Sequence, residues 1–430
     1  MMVDALSRFA PNERHETLPN GARLHILPRP DFHQFVGMVT VDFGARDQMF
    51  MQDGQLVKQP AGLAHFLEHK LFAQPGYDAF SRMSELGANA NAFTTQTRTS
   101  YFMTAPANEY AAFSELLHFT QEPYFEESSV VRERDIISQE VDMYQDDTNA
   151  RLYRLILGQL FPGDPMADDI AGTTESVHSV TPADLQAAFD AFYRPENMDI
   201  VVAGAFDVDA VRQLVMDAPI SSRQASANIT VPTKTLAPVI TEPLEVDMDI
   251  VRTKIAIGQR WYDGATMPTG MDALRIAIAG SLAVDLVFGE FSPTYMMWYD
   301  SGMIDDTFSA EFDWERGVAF LTIAAETPEA DELIDAVSDE LANLAERFKA
   351  LSADFELVKK DALGRLISKF NQLEEIVTRF EGKTFDFATL RDEINVLQSL
   401  DVQSVYDILM HAEISDLSTV IARPNVDNMW

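Results

Sequence analysis

Two periods of apolar residues alternate along the chain. A turn signal at Leu18-Pro-Asn-Gly21 leads into residues 22–28, near-alternating in polarity, and residues 35–45 are rich in β-branched side chains; both stretches predict strands. Residues 47–59 are polar and read as a loop. A helix is predicted over 60–72, opening on Pro60, a residue suited to a first helical position. Helical spacing returns at 77–87, two strands follow within 88–106, and another amphipathic helix covers 108–125. From Glu126 to Leu157 the spacing of Glu133, Ile136, Ile137, Glu140, Val141 and Tyr144 predicts one long helix. A Thr181-capped helix, a strand at 198–206 and a last helix close this half.

The second half repeats the grammar. Strands are predicted at 250–261 and 318–326, a helix at 271–288, and two long helices at 328–350 and 354–380. Residues 175–204 resemble 397–424 in order and spacing: a polar lead, a helix, then a hydrophobic strand. Residues 221–243, rich in Ser, Pro, Thr and Ala, read as the connector. These patterns predict an α+β fold rather than a doubly wound parallel sheet. The expected division is residues 1–225, a linker at 226–243, and residues 244–430.

Composition narrows the partners. With 68 acidic against 32 basic residues the net charge is −36, a surface that repels nucleic acid and anionic membrane. The chain has no cysteine, which excludes disulfides, thiol nucleophiles and thiolate metal sites. Residues 1–21 lack the basic-then-apolar order of a secretory signal, and no run of 18 apolar residues is free of charge, so a soluble cytoplasmic protein is expected.

One apolar helix carries polar groups that are costly to bury. In His65-Phe-Leu-Glu68-His69 the three polar residues stand at i, i+3 and i+4, on one helical face. Two imidazoles one turn apart suit one zinc ion, and a carboxylate beside them suits proton abstraction from water. The order H-x-x-E-H is the inverzincin pattern. A catalytic zinc needs a third protein ligand, and Glu133 and Glu140, two turns apart on one face, are the candidates. One would ligate and the other would orient a histidine or help order the helix; spacing alone does not decide between them.

The chain resembles the pitrilysin/insulysin superfamily of inverzincin zinc metallopeptidases, in its half-length bacterial form and closest to the YmfH-like branch. The resemblance rests on residues 17–21, 62–72, 87–94, 133–147 and 192–204, and it spans most of the chain. It implies two homologous α/β-sandwich-like repeats of the LuxS/MPP-like metallopeptidase type, forming half of a clam-like chamber. By the same likeness His65, His69 and Glu140 hold one Zn2+ per chain, Glu68 is the catalytic base, and Glu133 supports the site from outside the coordination sphere. Asn91, Ala92, Phe93 and Thr94 match the strand on which family members bind a peptide backbone.

The family also uses an Arg and a Tyr from an opposite half. Aligned on Gly302, this chain has Tyr299 and Asp305 at those places. An aspartate repels a developing oxyanion. The expectation is therefore a dimer in which a metal-free homologue supplies Arg and Tyr, hydrolysing peptides or unfolded segments in an enclosed chamber. The alternative is a noncatalytic or weakly catalytic scaffold subunit of a peptidase-like heterodimer. The basic stretch Lys359, Lys360 and Arg365 faces either a partner or the chamber, or it balances charge within the fold.

Overall fold

A computed structural model of the chain describes residues 13–222, 229–232, 235–263 and 267–425. Most of the N-terminal stretch and parts of the connector discussed above lie outside them. The first large sheet is built from β1 (Arg14–Thr17), β2 (Arg23–Pro28), β3 (Phe35–Val41), β4 (Asn89–Thr94), β5 (Thr99–Ala105) and β6 (Met198–Gly204), in the order β1-β2-β6-β3-β5-β4. The second contains β7 (Leu244–Met248), β8 (Lys254–Asp263), β9 (Ser309–Glu315), β10 (Val318–Glu326) and β11 (Ser418–Pro424), in the order β7-β11-β8-β10-β9.

The two orders are the same once β1 is set aside. β6 pairs parallel with β2 and antiparallel with β3, as β11 does with β7 and β8. The internal echo in the sequence is thus a structural repeat, and both units are mixed α/β. Each unit places the first strand of a hairpin at an open edge: β4, paired with β5, in the first, and β9, paired with β10, in the second.

The helices that matter to the site are α1 (Leu63–Phe72), α2 (Glu127–Asp146), α3 (Thr148–Leu160), α4 (Pro182–Phe192), α5 (Gly270–Phe288), α6 (Pro293–Ser301), α7 (Leu373–Thr378) and α8 (Val402–His411). α4 and α8 precede β6 and β11, the returning strands of the repeat. The halves exchange cover. Leu152, Ile156 and Leu160 of α3 pack with Ala256, Phe320 and Val420 of the second sheet. In return the outer face of the first sheet, including Val36, Met38 and Val201, joins the core formed by the second half, which also contains Leu373 and Val377 of α7. Apolar area on both faces of each sheet is removed from water this way.

Several expectations are corrected. α1 starts at Leu63, not Pro60, because Gly62 sits at φ 83°, outside the helical region, and caps its start; a Cβ there would lie 2.3 Å from the Ala171 carbonyl oxygen. The single helix expected from Glu126 to Leu157 is broken at Asp147, whose backbone is extended and whose side-chain carboxylate caps α3 by accepting from the amides of Asn149 and Ala150. The polar stretch 47–59 is a hairpin, Met49–Gln52 with Gln55–Lys58, closed by Asp53 and Gly54 at φ 51° and 81°. In the connector, Ile229–Thr230 pairs with that hairpin. The two long helices of the second half are interrupted at Asn343 and ahead of Leu373. In the basic stretch, Lys359 donates to the carbonyls of Gln398 and Leu400, and the exposed Arg365 pairs with Asp285 and Asp361, in line with the charge-balancing alternative.

Polar contacts also lock the halves. Arg316 pairs with Asp42 and Asp47, Arg98 reaches the Phe380 and Thr378 carbonyls and Glu381, and Thr97 donates to Glu315 at 3.0 Å. Burial, then the charge of Glu381, pushes the Glu315 carboxyl up to about 7 from its ordinary 4.5, despite the Thr97 hydrogen bond and Arg98. The folded chain therefore holds this proton longer than the unfolded chain does, and stability is lost as pH rises from 4.5 through 7. Glu315→Gln keeps the acceptor for Thr97 and removes the ionisation. It is expected to be more stable than wild type above pH 7, by on the order of 2–3 kcal/mol, with the gap closing towards pH 4.5 in urea titrations.

Candidate metal centre

α1 is apolar on most of its circumference. Leu63, Ala64, Phe66, Leu67, Leu71 and Phe72 enter the core of the first half. The remaining face, His65, Glu68 and His69, lines a cavity of about 820 Å3. His65 and Glu68 are only 9% and 7% exposed, so each needs a partner for its polar atoms. β4 supplies one for Glu68 through the Thr94 hydroxyl, and α2 brings carboxylates to the histidines. That helix packs against α1 and aims both Glu133 and Glu140 into the same cavity.

Geometry separates the two glutamates that spacing left equivalent. Glu133 Oε1 lies 3.1 Å from His69 Nδ1, the nitrogen on the side of the ring away from the shared space. Glu140 instead faces both Nε2 atoms, at 3.7 Å from His65 and 3.6 Å from His69. These separations are too long for hydrogen bonds. They are near the ~3.3 Å that two ligand atoms adopt when each is ~2.0–2.1 Å from one tetrahedral zinc. One ligand atom from each of His65, His69 and Glu140 falls within 4.8 Å of the others, the one such group of three found among the described residues. The donor set, two imidazoles and a carboxylate, suits zinc.

Electrostatics agree. Burial, with the neighbouring His69, lowers the His65 pKa to about 3, so this ring is neutral and its nitrogen lone pair is available. Burial, reinforced by the Glu140 charge and opposed by Thr94 and His69, raises Glu68 to about 6. Burial also works against protonation of His69, but the Glu133 hydrogen bond and the charges of Glu68, Glu133 and Glu140 hold its pKa above the ordinary value. The pocket thus gathers negative charge around two imidazoles, the field a divalent cation neutralises.

The edge strand β4 forms another wall, with Asn91, Ala92, Phe93 and Thr94 all lining the cavity. One edge of β4 pairs with β5 and the other is unpaired. Asn91 is exposed, and its side-chain oxygen accepts from the Ala92 amide at 2.9 Å. The Thr94 hydroxyl donates to Glu68 Oε2 at 2.5 Å. The cavity also holds Tyr144, Tyr153 and Arg154, the last paired with Asp169 at 2.9 Å. Sequence reasoning missed Tyr153 and Arg154 because the chain turns at Asp147, where periodicity ran straight on. Tyr299 and Asp305 are not among the cavity-lining residues. Tyr299 is 43% exposed near the end of α6, and Asp305 is engaged by Arg252 and Thr307.

The second unit has no counterpart of the polar face. α5 follows β8 as α1 follows the β3 region, and it carries Arg275, Ser281 and Asp285 without a histidine. Comparison with known proteins reproduces this asymmetry. Residues 51–174 match the family model described as Insulinase (Peptidase family M16), and residues 179–360 match the one described as Peptidase M16 inactive domain. The uncharacterized zinc protease YmfH of Bacillus subtilis (strain 168) is 32% identical over 412 residues, covering 94% of this chain and 95% of that protein. The chain belongs to the insulinase family, peptidase family M16. Among solved structures, an M16-like peptidase from Alicyclobacillus acidocaldarius superposes with a TM-score of 0.88 at 27% identity, over 96% of this chain and 98% of the other. A protease from Helicobacter pylori gives 0.80 at 16% identity, over 96% and 100%, a likeness of fold. Among the described residues no helix is long and apolar enough to cross a membrane.

The link between α1 and α2 includes a fully buried cation. Lys70 donates to Ser129 Oγ in the first turn of α2. Burial lowers its pKa while Glu133 opposes that shift. Ser129→Ala leaves the ammonium without this acceptor and is expected to cost about 1–3 kcal/mol. Combining it with Lys70→Met removes the stranded charge and is expected to restore stability to within about 1 kcal/mol of wild type in urea unfolding.

Proposed function

We propose that the chain is the metal-bearing subunit of a zinc endopeptidase acting on peptides or unfolded segments. The observation that carries this reading is the convergence of His65, His69 and Glu140 around one point, with Glu68 beside them in one cavity. His65, His69 and Glu140 hold one Zn2+, and Glu133 orients His69 through its Nδ1. When bound, zinc supplies Lewis-acid polarisation of the scissile carbonyl and lowers the pKa of water. Glu68 takes a proton from the attacking water and returns it to the leaving amine. A pKa raised to about 6 suits both halves of that exchange near neutral pH. The peptide adds to the open edge of β4 as an extra strand, its backbone groups satisfied along Asn91 to Thr94.

The chain works as a dimer, with residues 1–225 and 244–430 as its two units and 226–243 as the linker, in the cytoplasm. The chain carries Tyr299 and Asp305 where the resemblance expects an Arg and a Tyr, which favours a heterodimer whose metal-free homologue brings that pair to the oxyanion. The same observation supports the second reading, a scaffold subunit with little turnover of its own.

Hydrolysis of a quenched-fluorescence peptide library by the zinc-loaded chain, against Glu68→Gln, tests the proposal. Glu68→Gln is expected to keep one zinc and to lose at least about 100-fold in turnover. Glu140→Gln is expected to lose the zinc. Equal rates for wild type and Glu68→Gln would contradict the assigned base. Stoichiometric zinc with no turnover, alone or with a homologue added, would favour the scaffold reading.

A further inference from the structure

Thr94 occupies an unusual place. It ends the edge strand β4, faces the cavity, and gives its hydroxyl proton to Glu68 Oε2 at 2.5 Å. A threonine has one such proton, so this contact excludes donation to anything else. Its cross-strand partner Thr99 does not compete: the Thr99 hydroxyl donates to the Phe43 carbonyl at 2.8 Å and lies 3.5 Å from Thr94 Oγ1.

The backbone that carries Thr94 is tightly fixed. The turn beyond it is closed by Thr95 N to Arg98 O at 2.8 Å, and Ala45 and Arg46 donate to the carbonyls of Thr95 and Gln96. Gly44 packs so close to this turn that a Cβ would lie 2.4 Å from Thr97 N. Arg98 stacks over Phe93 and is anchored to the second half through Thr378, Phe380 and Glu381. A side chain held this firmly can impose an orientation on a neighbour. Glu68 needs one, because a carboxylate at 7% exposure with a single fixed contact otherwise has a choice of rotamers.

We propose that Thr94 is a positioning residue for Glu68. One piece of backbone then carries both the edge that receives a peptide and the hydroxyl that aims the base, so strand addition at β4 and alignment of Glu68 are set together. This rests on the peptidase reading only for its kinetic consequence; the orientation of Glu68 is a property of the chain itself.

Two arms test it in the zinc-loaded full chain, with the homologue present if turnover requires it. Thr94→Val keeps the shape and removes the donor; Thr94→Ser keeps the donor and removes a methyl group. Thr94→Val is expected to lower kcat by about 10- to 100-fold, with KM, zinc content and Tm near wild type, and Thr94→Ser to recover most of that loss. Retention of kcat within about twofold in Thr94→Val, or equal loss in both variants, would overturn the proposal. The second arm does not depend on turnover. In crystals of zinc-loaded Thr94→Val the Glu68 carboxylate is expected to rotate away from its wild-type position, and in Thr94→Ser to stay. An unmoved Glu68 in Thr94→Val would overturn the proposal even if the wild-type chain cleaved no peptide, whereas absent cleavage with a rotated Glu68 would count against the peptidase reading alone.

Discussion

The structure turns on the burial of ionisable groups on one helical turn. His65 and Glu68 are almost out of water on a helix whose other faces belong to an apolar core. Such groups persist only where their surroundings supply partners of opposite character. Thr94 meets that demand for Glu68, and α2 brings two glutamates to the histidines, one hydrogen-bonded to His69 and one placed between both without bonding to either. The Nδ1 of His65 is buried with no hydrogen-bond partner. A metal-free network would be expected to close onto Glu140; this arrangement instead leaves a gap of the size a cation fills.

The rest of the fold serves to hold that turn in place. Gly62 lets the chain enter α1 against the backbone at Ala171, and Asp147 ends α2 just beyond Glu140. Because α3 covers the second sheet and α7 packs against the first, the walls of the cavity are tied to both units. The two units of the repeat differ in the polar helix face. Both place a helix beside the open edge strand, but α5 presents Gly280 against Phe312 where close packing is needed, and no imidazole. The first unit carries the polar face; the second is its structural counterpart without it.

What the sequence revealed follows from the range of each interaction. His65, Glu68 and His69 are close in sequence, so helical spacing alone puts them on one face, and Glu133 and Glu140 are related in the same way. Which glutamate faces the histidines depends on how α2 crosses α1, and only the family resemblance chose Glu140 before the geometry did. The Thr94–Glu68 bond joins residues from two elements through the register of β4 on β5, which no local pattern encodes. Periodicity failed where a helix stops without a glycine or proline, as at Asp147 and Asn343. The hairpin at Met49–Lys58 was legible and missed: Asp53-Gly54 between two short apolar runs is a strong turn signal, hidden by the polar residues around it.

The central claim, that these three side chains form one zinc site, is tested most directly by anomalous scattering at the zinc absorption edge from crystals of the zinc-loaded chain. The account predicts one strong peak in the cavity, about 2.0–2.2 Å from Nε2 of His65, Nε2 of His69 and a carboxylate oxygen of Glu140. A peak elsewhere, or one that leaves any of these three outside bonding distance, would contradict it.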